Sequence, residues 1–384
     1  MSLRLLLSCG EASGDLYAGA LTRALRAIEP SVQVAGLGGP QFAAAGGRLI
    51  DDYRSIAVSG FIEWIPKLPR LLEARRRLVA AARAERPDAL VLIDFSGFNL
   101  RLAPAIKELG VPVIYYISPQ VWASRAGRIA TIRRIADRML VIFPFEQELY
   151  EQAGVPVEFV GHPLVDLVAP TSAREPFLAS LGLSPSAPTV ALLPGSRPGE
   201  VSRILTDLVE AVVRIQREVP AIQCVIARAP QLSDDLFEVV ERAQASAPFR
   251  LVEGNTDNIL AASDVALMAS GTATVQGALH DTPMVIVYRL SALTYRLARQ
   301  LVKLDTIGMV NLIAGEKIAP ELVQDAFTPE AVAHEAISIL IDPQRSAHIR
   351  QALARVRERL GGSGASRRAA EAVLRVATAR NQRA

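Results

Sequence analysis

The stretch Ser263–Met284, SDVALMASGTATVQGALHDTPM, contains a strand, a turn, a helix and the start of a second strand. The apolar run Val265–Met268 is short enough for a buried strand, and helix-forming residues follow from Ala273 to His280. Asp281 and Pro283 end that helix before the next apolar run, Met284–Tyr288. This order is typical of a parallel α/β sheet.

The turn between the first strand and the helix contains Ser270, Gly271 and Thr272. A helix that begins just after a parallel strand points its free N–H groups out of the carboxyl edge of the sheet, where anions bind. The two hydroxyls and the small glycine would let a phosphate reach the backbone. The alternative is that a hydroxyl caps the helix and binds nothing.

The composition is that of a globular protein large enough for two domains. The chain has 384 residues, of which 50% are hydrophobic and 21% charged. Apolar runs stay well below the roughly 18 residues that span a bilayer. Cys9 and Cys224 lie too far apart to suggest a disulfide framework or a thiolate metal site. We therefore expect a cytoplasmic protein, and the net charge of +3 is too small to predict nucleic-acid binding.

Strands alternate with helices in two consecutive series. The first series of strands runs Leu3–Ser8, Val32–Leu37, Ala89–Ile93, Val111–Ile117, Met139–Phe143 and Val157–Val160. The second runs Val190–Leu193, Gln223–Ala227, Arg250–Val252, Val265–Met268 and Met284–Tyr288. A Pro-, Ser- and Ala-rich stretch, Ala169–Pro188, reads as the linker between them.

The sequence thus predicts two α/β domains, residues 1–168 and 169–344, followed by C-terminal helices within residues 345–384. Those helices are read as Arg345–Leu360 and Ala365–Ala379. Ligands of such sheets bind outside the carboxyl ends of the strands, so we expect a ligand cleft between the two domains.

Arg197 is the first candidate for binding a diphosphate. It follows the strand Val190–Leu193 through the turn Pro194-Gly195-Ser196, and a helix begins near Glu200. Arginine makes bidentate contacts with phosphate. The alternative is an ordinary surface arginine after a turn.

Asp94 is the first candidate for a general base, because it ends a strand that is otherwise apolar. Its alternatives are a helix cap near Asn99 or the partner of an arginine. Glu11 and Asp15 present the same choice, and His162 is read as serving either chemistry or packing. The sequence lacks the His-x-x-x-His spacing and clustered carboxylates of a metal site, so no metal is predicted.

Two stretches combine apolar residues with basic ones, as a surface that lies on anionic lipid does. Residues Gly60–Leu68 precede a basic helix, Pro69–Glu85, and Tyr295–Lys303 repeats the pattern. The alternative is an ordinary half-buried helix with a solvated face.

Eight motifs in order resemble the lipid-A-disaccharide synthase family. The motifs are Gly10-Glu11-Ala12-Ser13-Gly14-Asp15, Ile93-Asp94 with Phe98-Asn99-Leu100, Ser118-Pro119 with Val121-Trp122-Ala123, Pro144-Phe145-Glu146, Val160-Gly161-His162-Pro163, Leu193-Pro194-Gly195-Ser196-Arg197, Ala269-Ser270-Gly271-Thr272-Ala273-Thr274 and Asn311-Leu312-Ile313-Ala314-Gly315. The resemblance runs from about Leu3 to about Pro329.

The resemblance implies an inverting glycosyltransferase that needs neither metal nor cofactor, with two Rossmann-like α/β domains of the GT-B architecture. Its substrates would be UDP-2,3-diacylglucosamine and 2,3-diacylglucosamine 1-phosphate, and its site the cytoplasmic face of the inner membrane. Its last helix would pack back on the first domain, and a homo-oligomer is left open. By motif match, the resemblance assigns acceptor-side chemistry to Asp94 and Glu11. It assigns substrate binding to Ser13, Arg197, Ser270, Gly271, Thr272, Gln276 and Asn311.

Two positions depart from the family pattern. Family members usually have Glu at Gln276, where a carboxylate would accept from both ribose hydroxyls, so we expect Gln276→Glu to tighten UDP binding. They usually have an aromatic residue at Ser124. The alternative functions are another UDP-sugar enzyme of GT-B fold, such as an epimerase or a lipid-linked transferase, and a non-catalytic membrane-bound sensor of UDP-sugar.

Overall fold

The computed structural model describes residues 2–56, 67–119, 127–291, 295 and 306–381. Within them the chain forms two compact units. The first runs to Leu167 and takes in the chain again from Leu360, and the second lies between Val168 and Arg359. The prediction of two α/β domains is confirmed.

The first unit is built on a parallel sheet. Its strands are β1 (Arg4–Ser8), β2 (Gln33–Gly38), β3 (Arg48–Asp52), β4 (Ala89–Ile93), β5 (Val113–Tyr116), β6 (Arg138–Val141) and β7 (Val157–Phe159). The helices that alternate with them are Ala12–Ile28, Pro40–Ala44, Leu68–Glu85, Ser96–Lys107, Gly127–Ile135, Pro144–Gln152 and Leu164–Leu167. The strand order is β3-β2-β1-β4-β5-β6-β7. The order reverses between β1 and β4, which pair in parallel, so ligand chemistry is expected at their carboxyl ends.

The second unit repeats the plan. Its strands are β8 (Thr189–Leu193), β9 (Gln223–Arg228), β10 (Phe249–Glu253), β11 (Val265–Ala269), β12 (Met284–Tyr288) and β13 (Glu321–Val323), in the order β10-β9-β8-β11-β12-β13. Its helices are Arg174–Ser180, Pro198–Glu218, Glu238–Ala243, Thr256–Ala261, Thr272–Leu279, Met309–Ala314, Pro329–Ile341 and Pro343–Arg359. Here the order reverses between β8 and β11, which also pair in parallel.

The core strands of both sheets are apolar because both faces are covered by helices. All five residues of β4, β8 and β11 are buried. The sequence missed β3 and β13, whose residues are mostly half-exposed and partly charged, so they lack the apolar run that marks the central strands.

The stretch Ala169–Pro188 is not a free linker, which corrects the sequence prediction. It contains the helix Arg174–Ser180, whose Phe177 and Leu178 are buried. The Arg174 guanidinium donates to the Ala262 carbonyl at 2.7 Å and pairs with Asp264 at 2.9 Å. The stretch is therefore part of the second unit.

The last two helices belong to different units. The helix Ala365–Asn381 packs on Ala12–Ile28 in the first unit. Asp166 accepts from the backbone N–H groups of Gly364, at 2.6 Å, and Ser366, which fixes the start of that last helix. The helix Pro343–Arg359 packs on helices of the second unit, so the chain re-enters the first unit at Leu360 rather than at the predicted Arg345.

Candidate active site

Glu11 and Asp94 follow the two strands that flank the reversal of strand order in the first sheet. Glu11 stands three residues after Ser8, the end of β1, and directly precedes a helix. Asp94 comes directly after Ile93, the end of β4. Because β1 and β4 are neighbours, the fold brings both carboxylate-bearing segments to one sheet edge. Ser13 lies two residues after Glu11, in the first turn of the helix Ala12–Ile28.

Asn99 ties the ends of these two strands together. Its side chain is fully buried, and its Nδ2 donates to the carbonyl of Asp94 at 2.8 Å and to those of Ser8 and Ile93 at 3.3 Å. Its Oδ1 accepts from the Ser8 hydroxyl at 2.7 Å. Asn99 lies within the helix Ser96–Lys107, and the helix does not begin at Asn99. Its side chain instead links the ends of β1 and β4 through hydrogen bonds.

At the same sheet edge, the backbone of Gly10 passes close to the ring of Phe95. A Cβ atom added to Gly10 would stand 2.2 Å from the Phe95 ring, so only glycine fits there. Phe95 in turn stacks on Phe98 with ring centroids 5.4 Å apart. Gly10 and Phe98 belong to two of the family motifs, but the sequence alone indicated no physical role for either residue.

Asp15 is a structural residue. It is buried, and its two carboxylate oxygens accept from the backbone N–H groups of Gly39 at 2.7 Å, Gln41 at 2.9 Å and Phe42 at 3.0 Å. The carboxylate thus satisfies the free N–H groups at the start of the short helix Pro40–Ala44. Of the alternatives left open for Asp15, which were a general base, a helix cap and the partner of an arginine, the structure supports a helix cap.

His162 is also buried. Its Nδ1 accepts from the backbone N–H of Leu164 at 3.1 Å, and its ring lies against Tyr17 and Phe143. Burial lowers the pKa of His162 to about 3, since a charged imidazolium would lose its water there. The ring is therefore neutral at physiological pH and serves as a packed acceptor.

Arg197 lies at the equivalent edge of the second sheet. It immediately precedes the helix Pro198–Glu218, and its Nη1 donates to Glu200 Oε1 at 3.0 Å. The turn before it requires Gly195, whose φ of +118° lies in the region that favours glycine. Both the turn and the arginine are where the sequence predicted them.

Ser270, Gly271 and Thr272 follow the neighbouring strand, β11. The Ser270 hydroxyl donates to the Ile307 carbonyl at 2.8 Å. Thr272 is exposed at the start of the helix Thr272–Leu279, and Gly271, just before it, has open space around its α-carbon. Since β8 pairs with β11, the two glycine turns and Arg197 share one edge, which agrees with an anion site.

The side chain of Asn311 makes all of its hydrogen bonds within the protein. It is buried, its Oδ1 accepts from the backbone N–H groups of Ile318 and Ala319, and its Nδ2 donates to the Ala319 carbonyl and to Glu321. Glu321 also accepts from the backbone N–H groups of Ile307 and Gly308. Every hydrogen-bonding group of the Asn311 side chain thus has a partner within the protein. Its predicted contact with UDP stays a prediction.

Gln276 has an acceptor that the sequence did not reveal. Its Nε2 donates to Asp257 Oδ1 at 3.3 Å, and His280 Nε2 lies 3.1 Å from the same oxygen. Asp257 stands in the first turn of the helix Thr256–Ala261, which follows β10. A residue from another strand end therefore orients the side chain of Gln276.

Part of the predicted lipid-facing surface falls outside the described residues. Residues 57–66, the Val121-Trp122-Ala123 motif, Ser124 and most of Tyr295–Lys303 lie there. Among the described residues, no helix is long and apolar enough to span a membrane, and no three His, Cys, Asp or Glu side chains form a group that could hold a metal ion.

Solved structures share this fold across the whole chain. A UDP-GlcNAc 2-epimerase from Neisseria meningitidis, bound to UDP-GlcNAc, superposes with a TM-score of 0.68 at 10% identity and covers 98% of this chain and 100% of its own. A glycosyltransferase from Rickettsia africae superposes with a TM-score of 0.59 at 11% identity, covering 100% and 99%. Together with the strand-end sites, this fold defines the class: an α/β protein of the GT-B type, which glycosyltransferases share with UDP-sugar epimerases.

Sequence relatives narrow the class to one family. The family model described as lipid-A-disaccharide synthetase matches residues 5–376. Lipid-A-disaccharide synthase from Myxococcus xanthus is 45% identical over 373 residues, and the one from Trichlorobacter lovleyi is 44% identical over 372 residues, each covering 97% of both chains. The chain belongs to the lipid-A-disaccharide synthase family and is a glycosyltransferase of lipid A biosynthesis.

Proposed function

We propose that this protein transfers a diacylglucosamine unit from UDP-2,3-diacylglucosamine to 2,3-diacylglucosamine 1-phosphate and releases UDP. The observation that supports this most directly is which residue types follow the central strands of the two sheets. One sheet presents Glu11 and Asp94 beside its reversal point, and the other presents Arg197 and the Ser270–Thr272 turn beside its own. Carboxylates suit a proton acceptor, and arginine with a helix start suits a diphosphate.

The nucleotide side belongs to the second unit. Arg197 and the N–H groups at the start of the helix Thr272–Leu279 would bind the diphosphate, with Ser270 and Gly271 shaping the turn. As the bond between the anomeric carbon and the diphosphate breaks, negative charge grows on the leaving oxygen. Fixed donors placed there stabilise that charge without having to reorient.

The acceptor side belongs to the first unit. Asp94, helped by Glu11, would take the proton from the acceptor hydroxyl as its oxygen attacks the anomeric carbon. One carbon–oxygen bond forms, the bond to UDP breaks, UDP leaves with the electron pair, and the proton stays on the carboxylate. Attack opposite to the leaving group inverts the anomeric centre.

The decisive experiment is incubation of the purified protein with both lipid substrates, followed by mass detection of a disaccharide phosphate and of released UDP. Epimerases share the fold, so UDP-GlcNAc is the matched control substrate. A new UDP-sugar isomer with no disaccharide would support an epimerase. Binding of UDP-sugar without turnover of any of these substrates would support the non-catalytic sensor.

We further propose that the protein lies on the cytoplasmic face of the inner membrane through the helix Leu68–Glu85. Ala74, Leu78 and Ala82 bury one side of this helix. On another side Leu68 and Leu72 are 38% and 44% exposed, and Arg76 follows at the same four-residue spacing. Exposed leucines beside arginine suit an anionic lipid surface.

A further inference from the structure

The backbone around Asp94 adopts a conformation that its sequence does not favour. Asp94 has a φ of +43° and Phe95 a φ of +44°. Residues other than glycine rarely adopt the left-handed region, and two in succession persist only where surrounding contacts hold them. Such strain clusters at functional sites, and here it falls on the proposed base and the residue after it.

Two side chains hold the Asp94 carbonyl. The Tyr115 hydroxyl, from the neighbouring strand β5, donates to it at 2.8 Å, and Asn99 Nδ2 donates at 2.8 Å from the helix that follows. Both side chains are fully buried. Burial and the negative charge of Asp94 raise the pKa of Tyr115 well above its usual value, so the hydroxyl stays protonated as a donor.

We propose that Tyr115 and Asn99 are positioning residues for catalysis: by bonding to the Asp94 carbonyl they hold residues 94–95 in the left-handed conformation and so aim the Asp94 carboxylate at the acceptor hydroxyl. This rests on the proposed role of Asp94 as the base. A carbonyl with two donors keeps one orientation, whereas loss of either donor lets the peptide rotate. A displacement of about 1 Å can cost about a hundredfold in rate.

The chain supplies a matched control in the next residue. Tyr116 is also fully buried on β5, but among the described residues its hydroxyl has no hydrogen-bond partner. Tyr115→Phe and Tyr116→Phe therefore remove the same atom from adjacent buried positions. Only the first removes a contact with Asp94.

The test compares both variants with the wild type in the two-lipid assay, with calorimetric UDP binding and thermal unfolding measured alongside. We expect Tyr115→Phe to lower kcat about tenfold, with KM and the Kd of UDP within about twofold. Tyr116→Phe should retain the wild-type kcat. The contrast between kcat and KM separates positioning from a general loss of structure, which would affect both.

Ser8→Ala gives a second, milder test, since it removes only the hydroxyl that orients the Asn99 amide. It should lower kcat by a smaller factor than Tyr115→Phe, again without a change in UDP affinity. Equal kcat values for Tyr115→Phe and Tyr116→Phe, beside an inactive Asp94→Asn, would overturn the positioning role alone. An Asp94→Asn variant with wild-type turnover would overturn the base assignment and the positioning role together.

Discussion

Gln276 and Asp257 are joined side chain to side chain, with Gln276 Nε2 donating to Asp257 Oδ1 at 3.3 Å. The bond fixes which end of the amide points toward the helix Thr256–Ala261 and leaves the amide oxygen directed elsewhere. It also reverses one expectation from the sequence. The predicted benefit of a glutamate rested on a carboxylate that accepts from both ribose hydroxyls, and the sequence did not show that Asp257 lies beside this position.

We therefore expect Gln276→Glu to weaken UDP binding by about threefold to tenfold. The substitution would place two carboxylates within hydrogen-bond distance, and like charges so close repel or force one to bind a proton. Calorimetric titration of UDP into both proteins measures the change. The double variant Gln276→Glu with Asp257→Asn restores a donor–acceptor pair and should recover the lost affinity. Tighter binding by the single variant would show that residue 276 faces the ribose and not Asp257.

Arg197→Ala should raise the Kd of UDP by roughly tenfold to a hundredfold while the fold remains intact. A lost charged hydrogen bond costs about 1.5–3 kcal/mol. Arg217→Ala, in the last turn of the same helix, is the control for removal of an exposed arginine. If both variants bind UDP as the wild type does, the diphosphate does not contact Arg197.

Asp94→Asn should lower kcat by about a hundredfold to ten-thousandfold, with little change in UDP affinity, because a general base acts on the rate. Glu11→Gln is the companion variant. Glu11→Gln should lower kcat by a smaller factor than Asp94→Asn, because Glu11 only assists the base in the proposed mechanism. A larger loss in Glu11→Gln than in Asp94→Asn would exchange the roles of the two carboxylates.

The protein should sediment with anionic vesicles at low salt and be released in part as salt rises, because exposed charges are screened within about 10 Å at 0.1 M salt. Leu72→Ser and Arg76→Glu should each reduce the bound fraction. Arg217→Glu makes the same charge change on a helix of the second unit and should leave binding unaltered. If neither Leu72→Ser nor Arg76→Glu changed the bound fraction, any lipid contact would lie elsewhere on the protein.

His162 should make the protein less stable as pH falls from about 6.5 toward about 3. Its folded pKa, about 3, lies below the unfolded value, so the unfolded chain binds one more proton in that window and is favoured there. Between pH 7 and pH 5 this amounts to about 2 kcal/mol. Urea unfolding of the wild type and of His162→Phe at both pH values measures the contribution of His162 to the pH dependence of the free energy of unfolding. Identical pH slopes would mean that the imidazole titrates normally in the folded protein.

The sequence predicted elements best where burial acts on both faces. The strands β4 and β12 have the predicted bounds, because every residue there is apolar or nearly so. The edge strand β3 has the sequence Arg-Leu-Ile-Asp-Asp, whose composition carries no such signal.

At the candidate site, the sequence was enough to predict that Asp94, Arg197 and Ser270 follow the strands β4, β8 and β11, as they do in the structure. Asp94 and Ser270 also have contacts with residues more distant in sequence, and composition does not encode such a pairing. Tyr115 bonds to Asp94 across 21 residues and Ser270 to the Ile307 carbonyl across 37. Asn311 illustrates the converse, since its motif was visible while its burial and complete internal bonding were not.

The attachment of the last helix to the first unit has a consequence for biosynthesis. Gly364 bonds to Asp166 across 198 residues, and the helix Ala365–Asn381 covers the helix Ala12–Ile28. A ribosome makes the chain from its N-terminus, so the helix Ala12–Ile28 is made long before the helix Ala365–Asn381 that covers it. During this interval the nascent chain exposes the uncovered surface to chaperones and to other nascent chains, and a message truncated before residue 365 would leave it permanently uncovered.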